Sequence, residues 1–101
     1  MKVKITKDNF KSEVLDCKDT VIVDFFGTWC MPCKMLRPIV DKVSNELNIK
    51  LATIDVDENE ELIKEYGIMS VPTLKIFKNG KEVASSVGVI SETKLKEMLN
   101  N

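Results

Sequence analysis

Apolar residues near the start of the chain are spaced first as in a strand and then as in a helix. Val3 to Ile5 predicts a short strand. Apolar side chains then recur at i, i+4 and i+7 as Phe10, Val14 and Cys17. This spacing predicts a helix with Asp8 or Asn9 as its cap, and we interpret Cys17 as a buried packing residue.

The next two elements are longer. Thr20 to Phe26 is apolar on both alternating faces, which predicts a central strand covered on two sides. A helix is then expected to begin at Pro32 and to kink at Pro38. Its apolar stripe consists of Leu36, Ile39, Val40, Val43 and Leu47.

The same order of elements then repeats. Lys50 to Val56 predicts another strand, and a helix is expected between its cap Asn59 and its stop Gly67. Because strands alternate with helices, we expect parallel strands joined through crossover helices.

The last part of the chain predicts a hairpin and a closing helix. Thr73 to Phe77 and Lys81 to Val87 flank Lys78-Asn79-Gly80, a tight reversal that favours antiparallel pairing. An amphipathic helix over Ser91 to Leu99 follows. The sequence therefore predicts an α/β fold in one domain over residues 1–101, with a mixed sheet and helices on both sides.

Composition and charge exclude several classes of partner. The 101 residues carry 15 Lys and Arg against 16 Asp and Glu, a net charge of -1, so we expect no nucleic-acid partner. No apolar run approaches the roughly 20 residues that cross a bilayer, so no membrane contact is expected. The basic start lacks an apolar signal-peptide core, and we therefore expect the protein in the cytoplasm.

Candidate chemistry is concentrated at Cys30 and Cys33, since histidine is absent. A turn brings residues i and i+3 within about 7 Å, close to the roughly 4.4 to 6.8 Å between Cα atoms that a disulfide needs. The positive end of the following helix should stabilise a thiolate at Cys30, the expected nucleophile. Pro32 should keep Met31 extended, leaving Cys30 more exposed than the resolving Cys33.

Two other interpretations of the cysteine pair remain open. C-x-x-C also supplies two ligands of a structural zinc site, but such a site usually has four Cys or His ligands and only Cys17 remains. The pair could also be simple core packing. The redox interpretation is favoured, and we expect no bound metal.

Asp24 interrupts the apolar strand six residues before Cys30. If the strand is central, its carboxyl leaves water at considerable cost and should be hard to ionise. Such a group could exchange a proton with Cys33, directly or through water. An exposed position on the strand is the alternative.

The chain resembles the thioredoxin family from end to end. The resemblance rests on Val23-Asp24-Phe25, Trp29-Cys30, Pro32-Cys33-Lys34, Pro38, Asp57, Tyr66-Gly67-Ile68, Val71-Pro72-Thr73, Phe77-Lys78-Asn79-Gly80 and Gly88. It implies a mixed sheet of about five strands with about four helices. It also implies that Pro72 is cis and that Val71 faces the cysteine pair. The implied substrate-binding residues are Trp29, Met31, Pro32, Val71, Pro72, Gly88 and Val89.

The resemblance further implies a catalyst that reduces protein disulfides. Cys30 would form a mixed disulfide with a client protein, Asp24 would help deprotonate Cys33, and a thioredoxin reductase would recycle the oxidised pair. Its electrons would come from NADPH through a flavoprotein or from ferredoxin. We expect a monomer with no bound cofactor besides the redox-active disulfide. A disulfide oxidase or isomerase, or a non-catalytic binding module of the same fold, is the alternative.

The chain departs from the family pattern at two positions. Met31 stands where family members most often have Gly, and we hypothesise that it alters partner choice and the reduction potential. Many bacterial members place a Lys near the buried Asp, and here the ungapped register puts Thr53 there. Without that cation, Asp24 should lose a stabiliser of its charged form, which predicts a raised pKa.

Overall fold

A computed structural model describes residues 1–100. Its five strands are β1 Lys2–Lys4, β2 Thr20–Phe26, β3 Lys50–Asp55, β4 Thr73–Lys78 and β5 Lys81–Val87. Its helices are a short π-helix Lys11–Leu15, α1 Met31–Leu47, α2 Glu60–Tyr66 and α3 Glu92–Leu99. The five-stranded mixed sheet and its helices confirm the thioredoxin fold that the resemblance implies. No helix within the described range is both long and apolar enough to cross a membrane.

The sheet has the order β1-β3-β2-β4-β5, with β2 near its centre. β1, β3 and β2 run parallel, whereas β4 is antiparallel to β2 and β5 is antiparallel to β4. The parallel pairs are connected through helices and the antiparallel pair β4 and β5 through a two-residue turn at Asn79 and Gly80. Both turn residues have positive φ, 53° and 78°, as this type of hairpin requires.

Each face of the sheet has its own apolar core, because successive side chains of a strand point to opposite faces. Val21, Val23 and Phe25 belong to the core that includes Phe10 and Phe77. Ile22 belongs to the other core, which α1 and α3 cover. Asp24 follows Ile22 by two residues, so its carboxyl lies on the face covered by α1.

The first helical segment differs from the prediction. It is one π-helical stretch with Phe10 as N-cap and no side-chain cap. Asn9 is not available as a cap because its Oδ1 accepts the N–H of Thr6, and its Nδ2 donates to the carbonyl of Lys4. Cys17 is half-buried against the core rather than fully buried.

The start of α1 also differs from the prediction. The helix begins at Met31, one residue before Pro32, so the expectation that Met31 is extended is wrong. The extended residue is Cys30, with φ of -93° and ψ of 110°, and it acts as the N-cap. Pro32 is tolerated in the first turn, where its missing N–H would have had no helical partner. The helix continues through Pro38 as a single element.

Candidate active site

Cys30 and Cys33 form a disulfide at the junction of β2 and α1. Their Cα atoms are 5.3 Å apart, within the range that the spacing predicted. Sγ of Cys30 accepts the backbone N–H of Cys33 across 3.2 Å, so the sulfur itself caps the helix. An N–H group and a helix N-terminus therefore face the sulfur of Cys30, and both stabilise negative charge.

The expected difference in exposure between the two cysteines is wrong for this disulfide form. Cys30 is 3% exposed and Cys33 is 4% exposed. The prediction placed Cys30 outside the helix and therefore in solvent, but neighbouring chain covers the N-cap position. Position in the helix distinguishes the two sulfurs here, since Cys30 is the cap and Cys33 lies within the first turn.

The loop before β4 supplies part of this cover. The bond between Val71 and Pro72 is cis, as the resemblance implied. Sγ of Cys30 lies 3.8 Å from the carbonyl oxygen of Val71, so the loop faces the disulfide. The N–H of Gly88 donates to the carbonyl of Pro72 across 2.8 Å, which brings the end of β5 to the same place. Gly88 has a φ of 90°, and open space surrounds the position of a Cβ there.

An exposed apolar collar surrounds the disulfide. Four of the predicted binding residues are exposed to solvent, namely Trp29, Met31, Pro32 and Val89. Val71 and Gly88 are half-buried, and Pro72 is buried. Met69 is 96% exposed and was not among the predicted site residues. Together with Trp29 and Val71 it lines a groove of about 270 Å³ beside Cys30. The position of Met69, two residues before Val71 in the sequence, was the signal that could have identified Met69.

Trp29 is held in place by Asp57. The indole Nε1 donates to Oδ2 of Asp57 across 2.7 Å. Asp57 follows β3, the strand next to β2, so adjacent strand ends meet at this edge of the sheet. From the sequence, Asp57 was included in the family resemblance and interpreted as part of a solvated acidic run, and its bond to Trp29 was not predicted.

Asp24 is buried, as predicted, with 1% of the residue exposed. Burial raises the pKa of its carboxyl above the usual value, and the guanidinium of Arg37 offsets only part of this effect. The raised pKa agrees with the prediction, but the presence of this cation was not predicted. Nε and Nη2 of Arg37 each lie 3.0 Å from Oδ2 of Asp24. Thr53 does pair with Asp24 across β2 and β3, and the cation comes instead from α1.

Arg37 is the functional candidate that sequence reasoning missed. It follows Cys33 by four residues, and in a helix this spacing places two side chains on the same face. This spacing was available as a signal from the sequence.

Within residues 1–100, no cluster of three or more Cys, Asp or Glu side chains is arranged to hold a metal ion.

A closable cysteine pair at a strand-to-helix junction, capping the helix that follows it, is the site of a thiol-disulfide oxidoreductase. The thioredoxin family model matches residues 1–101. The chain is 42% identical over 98 residues to the thioredoxin of Rickettsia felis, covering 95% of this chain and 93% of that protein. It is also 42% identical over 98 residues to thioredoxin 1 of a Nostoc species, covering 95% and 92% of the two chains. The chain belongs to the thioredoxin family, and it is a thiol-disulfide oxidoreductase.

Proposed function

We propose that the protein reduces disulfides of client proteins, using Cys30 as the nucleophile and Cys33 as the resolving thiol. The observation that carries this assignment is the position of Cys30 as the N-cap of α1, with its sulfur accepting the N–H of Cys33. After reduction of the pair, the same donor and the same helix end would stabilise a thiolate at Cys30.

The first step is attack by the Cys30 thiolate on one sulfur of a client disulfide. A bond forms between Cys30 and the client, the client S–S bond breaks, and the departing client sulfur takes up a proton from water. In the second step, Cys33 loses its proton and its thiolate attacks Sγ of Cys30. The mixed disulfide breaks, and the second client thiol is released. Two electrons have then passed to the client, and the Cys30–Cys33 disulfide is formed.

Asp24 is the proposed acceptor of the Cys33 proton. It is the buried carboxyl on the face of β2 that α1 covers, and Cys33 is in the first turn of that helix. Burial raises its pKa, which makes the carboxyl a better proton acceptor than an ordinary aspartate.

The proposed client surface is the apolar collar around Cys30. Trp29, Met31 and Val89 would contact apolar client side chains. Val71 would form backbone hydrogen bonds with an extended client segment, as in the addition of a strand. Gly88 would allow the client backbone to approach closely. Pro32, which is exposed, would extend this surface, whereas Pro72 is buried and would act by holding the backbone of Val71 in place.

Recycling would require a second protein. We propose a thioredoxin reductase as the electron donor, either dependent on NADPH and flavin or dependent on ferredoxin. The protein would work as a monomer in the cytoplasm and would hold no cofactor besides its own disulfide. A reducing compartment suits a reductant, because its thiols are kept reduced there.

Insulin reduction with dithiothreitol tests the activity. Wild type should accelerate precipitation of the insulin chains, whereas Cys30→Ser should not exceed dithiothreitol alone. Cys17→Ser is the matched control, since Cys17 is the free cysteine within the described chain and should be dispensable. Equal rates for wild type and Cys30→Ser would contradict the proposal and favour a non-catalytic binding module.

A trapping experiment tests the order of the two cysteines. Cys33→Ser should accumulate a mixed disulfide between Cys30 and insulin, because the resolving thiol is absent. Cys30→Ser should not accumulate one to the same extent. Equal trapping by the two variants would contradict the assigned roles.

A further inference from the structure

Arg37 is the single arginine of the chain, and it lies one helical turn beyond Cys33 in α1. The two residues therefore share a face of the helix. All other cationic side chains are lysines. The guanidinium of arginine is planar and presents several donors in a rigid fork, which suits it to bind a carboxylate.

The contact between Arg37 and Asp24 is one-sided. Nε and Nη2 both approach the same oxygen, Oδ2, at 3.0 Å each. The guanidinium also stacks on Phe26, with its Cζ 4.8 Å from the ring centroid. Two donors and an aromatic ring thus fix the orientation of Arg37. Oδ1 of Asp24 is buried and has no hydrogen-bond partner among the described residues.

Two other charged residues shift the pKa of Asp24 less than Arg37 does. Lys2 of β1 lowers the pKa of Asp24, and Asp41 of α1 raises it. Lys2 and Asp41 form their own ion pair, 3.1 Å between Nζ and Oδ1, so their effects largely oppose each other. The neighbouring positions in β3 and β4, Thr53 and Leu74, carry no charge.

A cleft connects Arg37 with the resolving cysteine. It has a volume of about 270 Å³ and is lined by Phe26, Gly27, Thr28, Cys33, Lys34 and Arg37. One water molecule occupies roughly 30 Å³ of liquid volume, so the cleft has room for water beside both side chains. Water in the cleft would lie beside Cys33 and beside the guanidinium that contacts Asp24, whereas Asp24 itself does not line the cleft.

We propose that Arg37 is a positioning residue that holds Oδ2 of Asp24 and leaves Oδ1 as the oxygen that receives the Cys33 proton. The proposal rests on the proposed role of Asp24 as proton acceptor. During resolution, the proton leaves Sγ of Cys33 for Oδ1, and the Cys33 thiolate then attacks Cys30. In the reverse direction, Oδ1 returns the proton to Cys33.

Arg37 and Cys33 belong to the same helix, so the cation that contacts Asp24 has a fixed spacing from the thiol. A positive charge within about 4–6 Å of a carboxyl favours the ionised form and lowers the pKa of that carboxyl by roughly 1 to 3 units. Arg37 therefore keeps the buried carboxyl able to accept a proton despite its desolvation.

The release of thionitrobenzoate tests this proposal. Reduced protein attacks 5,5′-dithiobis(2-nitrobenzoate) through Cys30 and releases one thionitrobenzoate, and Cys33 then resolves the mixed disulfide and releases a second. Stopped-flow absorbance over a range of pH separates the two phases. In Arg37→Met, the midpoint of the pH dependence of the second-phase rate should rise by about one pH unit. At pH values below that midpoint, resolution should therefore be about tenfold slower than in wild type. The first phase should be unchanged.

Matched variants separate charge from packing. In Arg37→Lys, the pH dependence of the second phase should stay close to that of wild type because the positive charge is kept. Arg37→Gln, which removes the charge, should behave like Arg37→Met. Lys42 is a cation of the same helix, but it pairs with Glu92. Lys42→Met should therefore leave both phases unchanged. An unchanged first phase also shows that a variant is folded, and Arg37→Gln replaces Arg37→Met if the latter does not fold.

The double variant with Asp24→Asn completes the test. In the Asp24→Asn background, Arg37→Met should have no further effect on the second phase, because no carboxyl remains to be positioned. The proposal is overturned if Arg37→Met leaves the rate of the second phase unchanged while Asp24→Asn alters that rate. It is also overturned if Arg37→Met still slows the second phase in the Asp24→Asn background. If Asp24→Asn itself has no effect, the proposed role of Asp24 fails as well. Insulin reduction by wild type reports separately on the proposed reductase activity.

Discussion

The indole Nε1 of Trp29 donates to Oδ2 of Asp57 across 2.7 Å, and this bond joins the loops that follow β2 and β3. Trp29 remains 66% exposed, so the hydrogen bond orients an aromatic ring that is otherwise open to solvent beside Cys30. An exposed side chain that is already oriented loses less conformational entropy when a client binds. The hydrogen bond would therefore prepare the proposed client surface for binding.

Gly27→Ala should displace this ring. An added Cβ would lie 2.7 Å from Cε2 of Trp29, too close for the indole to stay in place. Loss of the bond to Asp57 should weaken client contact by about 1 kcal/mol, close to a fivefold fall in kcat/KM for insulin. The fluorescence of Trp29, the single tryptophan, should change in parallel.

Variants of Asp57 separate the hydrogen bond from other effects of the added methyl group. Asp57→Asn keeps an acceptor oxygen and should remain close to wild type, whereas Asp57→Ala should resemble Gly27→Ala. If Asp57→Ala reduced insulin with the same kcat/KM as wild type, the bond to Trp29 would not contribute to client binding.

Met31→Gly should change both client binding and the reduction potential. Met31 is 67% exposed at the first position of α1, so its side chain is available to a client. Partial burial of a methionine against a client contributes about 1 kcal/mol, and its loss should raise KM for insulin about fivefold. The potential is measured by equilibration with glutathione.

Two further variants serve as controls for Met31. Met31→Leu keeps the apolar volume and should keep the KM, and Leu47→Ala alters an exposed apolar residue at the far end of α1 and should have no effect. Identical potentials and identical KM values for wild type and Met31→Gly would contradict the hypothesis.

Asp24→Asn should stabilise the protein increasingly as pH rises. Burial raises the pKa of Asp24 in the folded state, so folding favours its protonated form. The wild type therefore has its full stability below the pKa of the unfolded carboxyl, about 3.9, and loses stability as pH rises through the folded-state pKa. Asparagine does not ionise. Urea unfolding at several pH values should show the smallest difference between the two proteins in acid.

The opposite pH dependence would contradict this expectation. If the stability of wild type relative to Asp24→Asn increased with pH, the pair with Arg37 would outweigh the cost of desolvation. Carbon-13 NMR titration of the carboxyl provides a direct check on the direction of the shift.

Gly80→Ala should destabilise the fold far more than Gly67→Ala. Both glycines have positive φ, 78° and 61° respectively, so each substitution incurs a backbone cost of about 1–2 kcal/mol. A Cβ at Gly80 would also collide with the carbonyl oxygen of Leu15, whereas none of the described chain surrounds a Cβ at Gly67. We expect a loss of about 3 kcal/mol or more for Gly80→Ala and about 1 kcal/mol for Gly67→Ala in urea unfolding. Equal losses would show that the hairpin relaxes away from the π-helix.

Several features of the fold could be predicted because they depend on local sequence. The bounds of β2 and β5 agree with the prediction. β2 is a β-branched and aromatic run that ends before Gly27, and β5 is delimited by Gly80 and Gly88. Asn79 and Gly80 identified the hairpin because few residues adopt positive φ at both positions. The first helical segment was less accurate, because Asn9 forms contacts to Thr6 and Lys4 that local pattern does not reveal.

The site was predicted in part for the same reason. The disulfide between Cys30 and Cys33 is a contact within one turn, and the burial of Asp24 follows from its apolar neighbours in β2. The similar exposure of the two cysteines depends on the loop at Val71, which is distant in sequence. The absence of a lysine at Thr53 was predicted correctly, but the cation that Arg37 supplies was not, because only the neighbour in β3 was considered.

The sequence by itself determined the order of strands and helices, the cysteine pair and the buried carboxyl, because periodicity, turn residues and i, i+3 spacing act over a few residues. Only the tertiary structure decided that Arg37 reaches one oxygen of Asp24, that Asp57 holds Trp29, and that the loop of Val71 covers Cys30. Each of these contacts joins separate elements, and its geometry depends on how α1 and the loops pack against the sheet.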